Sequence, residues 1–223
     1  MNYRKIFSVY GVQSLCRNFV LHAMYEHAIK PIKKYSLQIT GDIDKPVSFN
    51  ILESWINLAS ELGTENPILY TTIINEQVFN ETKDQVKSVN KNCIVASHGI
   101  NHVHQTRNKK AWEEIEECRK YSDGFRFPYV NYNWKLLKHV SKLFSYDSSV
   151  NSSWMFPFKI GNMIEHPFSP PSDTFYNGNP VTRKVVEAYS KIVKANIEYD
   201  RPVVFLFHPN NFTVELMKEM LTQ

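Results

Sequence analysis

The chain has 223 residues, 43% of them hydrophobic and 13% aromatic, which suits one sizeable globular domain and excludes a disordered chain. The formal net charge of +4 is mild and the lysines are scattered, so the short basic run "RNKK" at 107–110 reads as a solvated loop and nucleic-acid binding is not expected. Nothing approaches the ~20 apolar residues that span a membrane.

The first 36 residues have no continuous apolar core and no small-residue cleavage site, so no secretory signal is expected. Residues 1–34, with "SLCRNFVLHAMYEHA", fit an amphipathic helical extension packed on the domain that follows, and His22 and His27 fit its surface. Cys16, Cys93 and Cys118 are widely spaced and form no C-x-x-C pair, which predicts reduced, buried thiols in a cytoplasmic protein.

From residue 35 onward, short apolar runs alternate with helical patterns. "YSLQIT" (35–40) predicts a strand, and 47–63 an amphipathic helix closed by Gly63. A strand over 67–74, a helix over 76–89 and the strand "NCIVAS" follow. Residues 108–122 predict a helix with acids early and bases late, as the helix dipole favours. Then come the short strand "DGFRFP", a helix over 133–144 and the strand "SYDSS". Residues 150–180 hold five of the eleven prolines and predict irregular chain with a few short strands. A helix over 182–199, the strand "PVVFLF" and a last helix from about 212 complete the chain. This alternation predicts an α/β fold, a parallel sheet or barrel with helices outside.

Such folds bind ligands at the carboxyl ends of their strands. "GDID" follows the first predicted strand, "SHGINH" the third, "FRFPY" the fourth, "YDSS" the fifth and "FHP" the last. One rim can therefore gather Asp42, Asp44, His98, His102, Arg126, Asp147 and His208. Each residue alone is ordinary, since a D-x-D is usually a turn or cap and a lone histidine after a strand is usually structural. Their joint placement is what points to a site.

Two imidazoles four residues apart, on one face of a helical turn, can reach a single cation. One carboxylate would complete a three-ligand site with an open position for water, the pattern of a catalytic metal. Such a metal brings the pKa of its water toward ~7. The second carboxylate could then take the water's proton and a further histidine could protonate the leaving group, which describes a hydrolase.

These residues resemble the ordered motifs of the polysaccharide deacetylases, carbohydrate esterase family 4 or the NodB-homology domain, over about residues 35–210. The resemblance implies a distorted (β/α) barrel of about seven strands and a catalytic domain over 35–223. "TGDID" is similar to the first motif, which makes Asp42 the general base and Asp44 the carboxylate ligand. "HGINH" is similar to H-[S/T]-x-x-H, which makes His98 and His102 ligands, with Gly99 in the hydroxyl position. "RFPY" matches R-x-P-Y, so that Arg126 holds the base and the Tyr129 backbone N–H faces the oxyanion. "YDSS" makes Asp147 the residue that tunes the acid, and "LFHP" makes His208 that acid. "IEHP" at 164–167 is similar to a stretch in one branch of the family. Trp154 is read as core and His104 as a surface residue or one behind the ligands.

The implied activity is removal of acetyl from an N-acetylated sugar or polysaccharide with one divalent metal, zinc first, then cobalt, nickel or manganese. The alternatives are hydrolysis of another C–N bond in a formamide, ureide or cyclic amide, and a carbohydrate-binding relative without turnover.

Overall fold

The computed structural model describes residues 37–62, 66–152, 156–169 and 202–210, with helical positions 187, 190, 191, 194–196 and 198 between them. The predicted N-terminal extension, Trp154 and the helix from about 212 lie outside the described residues. One eight-stranded sheet organises the fold. Its strands are β1 (Leu37–Ile43), β2 (Ile68–Ile73), β3 (Ile94–Ile100), β4 (Gly124–Phe125), β5 (Tyr146–Asp147), β6 (Phe158–Ile160), β7 (Met163–Glu165) and β8 (Val203–Phe207). The order is β6-β7-β5-β4-β3-β2-β1-β8, parallel throughout except for the β6–β7 hairpin.

The six strands named from the sequence all appear, and the short strands expected in the proline-rich stretch are the two of the β6–β7 hairpin, making eight among the described residues. β1, β2 and β8 are buried almost end to end, as expected where a parallel sheet is covered on both faces. The curl is carried round by residues 168–169. Phe168 bridges to Asn151 beyond β5, and Ser169 N donates to the Val204 carbonyl on β8 at 2.7 Å. The result is a distorted (β/α) barrel.

The helices α1 (Phe49–Glu61), α2 (Glu76–Val89), α3 (Ala111–Cys118) and α4 (Trp134–Leu143) cross between strands. Helix α1 buries Leu52, Trp55, Ile56, Leu58 and Ala59, and each fully buried large side chain of this set stabilises by roughly 1.5–3 kcal/mol. Asn75 and Asn133 cap α2 and α4 by accepting from the Val78 and Leu136 N–H groups. Helix α3 stops short of the predicted 122. Arg119 and Lys120 turn onto the Glu116 and Glu117 carbonyls, and Ser122 is drawn into hydrogen bonds with Ser97 N and Gly124 O. Cys93 and Cys118 are buried free thiols, and burial pushes Cys93 up to about 12 and Cys118 higher still. Among the described residues no helix is long and apolar enough to cross a membrane.

Candidate metal centre and active site

The site begins with side chains that alternate across β1. Thr40, Asp42 and, just past the strand, Asp44 are two residues apart, so they point the same way. Asp42 lies within the strand and is 3% exposed, more enclosed than a loop after β1 would make it. Its partner is Arg126, a fully buried guanidinium that follows β4. Arg126 Nη1 donates to Asp42 Oδ1 at 2.6 Å, and Nη2 donates to Thr40 Oγ1 at 2.9 Å and Ser148 Oγ at 2.7 Å. Nε donates to the Ser148 carbonyl at 2.7 Å, and the cation lies 3.9 Å from the Tyr70 ring centroid. A buried cation this well satisfied can hold a carboxylate in one orientation.

Next to this pair, three ligand-type atoms converge. One oxygen of Asp44 and one nitrogen each of His98 and His102 lie within 4.8 Å of one another. Asp44 Oδ1 is 3.1 Å from His102 Nε2 and 3.4 Å from His98 Nε2, and Asp44 Oδ2 is 3.6 Å from His208 Nε2. His98 Nδ1 is 3.0 Å from the Arg126 carbonyl. A carbonyl only accepts, so this contact puts the proton on Nδ1 and turns the Nε2 lone pair toward Asp44. Asp44 Oδ1 is itself buried with no hydrogen-bond partner. Lone pairs facing one another around a buried oxygen need a positive centre, and two imidazoles with a carboxylate suit a divalent metal. The residues fit that group.

The two imidazoles do not meet on a helical turn, as their spacing suggests. His98 is inside β3, and His102 follows a turn in which Asn101 and His102 have φ of 54° and 47°. The register against β2 shifts by a residue between Thr71 and Ile73, so β3 carries a bulge at this point. Gly99 sits in the bulge with φ +77°, and an added Cβ would lie 2.6 Å from Pro128 Cγ. The glycine in the hydroxyl position of the second motif thus lets the third motif pack directly against it.

Tyr129 follows Pro128 with φ 56°, its side chain 55% exposed. Its ring stacks on His104 at a centroid distance of 4.0 Å and leans on His102 at 4.3 Å. His104 therefore contacts the wall of the site. Thr106 donates to Asn131 from its backbone N–H at 3.2 Å and from its hydroxyl, which laces the two loops together.

Asp147, fully buried, accepts from Ser149 N and Oγ at 3.0 Å each and stands in register with the buried Glu165 on β7. Ser149 Oγ in turn accepts from Phe127 N at 2.9 Å. The candidates Asp42, Asp44, His98, His102, His208 and Arg126 are thus linked by contacts, while Asp147 ends β5 and Tyr129 stands on the turn after Pro128. The sequence alone does not single out Thr40, Tyr70, Ser148, Ser149 or Glu165. Only the "S-S" after Asp147 and the "E" of "IEHP" carry a signal that could have found any of them.

No family model and no curated protein matches the chain. Solved structures do. A peptidoglycan N-acetylglucosamine deacetylase, solved with a naphthalenyl N-oxidanyl-benzamide, aligns with TM-score 0.56 and 12% identity over 92% of this chain and 89% of its own. The chitin deacetylase from the fungal pathogen Colletotrichum lindemuthianum aligns with TM-score 0.54 and 13% identity over 88% and 84%. A truncated 3-deoxy-D-arabino-heptulosonate 7-phosphate synthase from Thermotoga maritima aligns with TM-score 0.52 and 11% identity over 90% and 91%. Proteins named for different reactions share this architecture, so the likeness establishes the fold, that of the polysaccharide deacetylases. The chemistry has to come from the side chains.

Proposed function

We propose that this chain, which has the fold of the polysaccharide deacetylases, is a metal-dependent hydrolase that removes acetyl from an N-acetylated sugar or polysaccharide. The observation that carries the reading is the convergence of Asp44, His98 and His102 beside an aspartate gripped by a buried arginine. A divalent cation held by those three residues, zinc first and cobalt, nickel or manganese next, supplies charge that polarises the acyl oxygen and acidifies water.

Asp42 is the general base. Arg126 occupies Oδ1, so Oδ2 is the atom left to take the proton of the attacking water. The backbone N–H of Tyr129 meets the oxyanion as it develops. His208, on the far side of Asp44, gives a proton to the departing amine nitrogen. Asp147 adds its charge behind Arg126 and, by the family resemblance, tunes the acid His208. The exposed Tyr129 ring, backed by His104, walls the entrance on the side where a sugar ring would lie.

Acetate release from N-acetylglucosamine oligomers, by protein reconstituted with zinc or cobalt, tests the reading directly. Turnover by the wild type and its loss in Asp42→Asn is the expected result. Turnover confined to formamides, ureides or cyclic amides would move the same site to another C–N bond. Sugar binding without turnover, unchanged in Asp42→Asn, would replace the hydrolase with a binding protein.

A further inference from the structure

Glu165 is a fully buried carboxyl with no part in the mechanism above. It stands in register with Asp147 across the parallel β5–β7 pair, where neighbouring strands are about 4.8 Å apart. Glu165 Oε1 accepts from Val150 N at 2.8 Å, while Oε2 is buried and accepts from no N–H or O–H group. Both oxygens of Asp147 accept from Ser149, one from its backbone N–H and one from its hydroxyl. The geometry therefore has a direction. Asp147 is equipped only to accept, and Glu165 Oε2 is the one oxygen of the pair free to carry a proton.

We propose that Glu165 keeps its proton and donates it from Oε2 to Asp147, so that two buried carboxyls share one negative charge and clasp the Ser148–Ser149 turn. That turn is what holds the site's arginine. Ser148 takes Arg126 through its carbonyl and its hydroxyl, and Ser149 takes Phe127 N. Glu165 is thus a positioning residue that acts through Asp147 and the serines. The charged and titratable groups acting on the pair are Arg126 from the end of β4 and Tyr70 from β2. On β6 the residue in register with Glu165 is Phe158, and the neighbouring Lys159 points outward and is exposed. Burial pushes both carboxyls up, and the Asp147 charge drives Glu165 well above the usual carboxylate range.

The clasp rests on the hydrolase reading only for what Arg126 is positioned to do. Its test needs no substrate, so failure here and failure of that reading are separable. Infrared spectra of the wild type at pH 7 should show a carboxylic-acid C=O band that shifts on 13C labelling of glutamate and not of aspartate, and that disappears in E165Q. A group whose folded pKa is raised contributes stability that is full below its unfolded pKa and is lost as pH rises through the folded one. Wild-type stability should therefore fall above about pH 4.3, the free glutamate value. E165Q keeps an amide donor and cannot ionise, so it should lack that fall. The absence of an acid band in the labelled wild type would overturn the proposal even if E165Q does not fold. Parallel pH–stability curves for the two proteins would overturn it as well.

Discussion

Asp42 and Asp44 stand two residues apart on the same side of the chain, yet their surroundings are opposite. Asp42 is 3% exposed and held by the Arg126 guanidinium at 2.6 Å. The Asp44 side chain is 29% exposed and faces the Nε2 atoms of His98, His102 and His208. Two carboxylates of the same kind thus acquire different roles from what lies across from them. A fixed guanidinium orients one for proton transfer, and the converging ring nitrogens of His98 and His102 suit the other to share a cation.

The sharpest way to break this comparison is to neutralise each aspartate in turn. Asp42→Asn should lower turnover by about 10²–10⁴-fold while bound metal is retained. Asp44→Asn should lose the metal along with turnover. Metal analysis beside acetate release separates the two, and equal metal loss in both variants would show that the aspartates do not divide the work. Arg126→Met comes next, because it leaves Asp42 as a buried charge without its partner. It should cost about 3–5 kcal/mol in urea unfolding. Adding Asp42→Asn should recover part of that loss, since the orphaned charge is then gone. Gly99→Ala tests the ligand side with a smaller effect, about 1–3 kcal/mol, from a β-carbon forced to φ +77° against Pro128. A Gly99→Ala protein of unchanged stability and metal affinity would mean that the bulge does not set the His98–His102 geometry.

Much of the fold was legible because alternating apolar runs and 3.6-residue periods are properties of local sequence, and helix α2 matches its predicted limits over 76–89. The candidate residues were legible because parallel strands bring their carboxyl ends to one rim. What escaped notice depended on register. Glu165 faces Asp147 because β7 lies beside β5, although 18 residues separate them in the chain. Ser148 and Thr40 are ordinary polar residues until Arg126 is laid between them. The helical turn expected for the histidine pair also failed for a reason beyond spacing. A four-residue interval fits a helix or a bulged strand end equally well, and packing of Pro128 on Gly99 selects the second.

If Asp44, His98 and His102 hold a catalytic cation, mass spectrometry of the purified protein should find it. The expected result is about one zinc or similar divalent ion per wild-type chain, absent from the His98→Ala/His102→Ala double variant. A wild type that takes up no metal after reconstitution with zinc and cobalt, or a double variant that binds as much as the wild type, would contradict it.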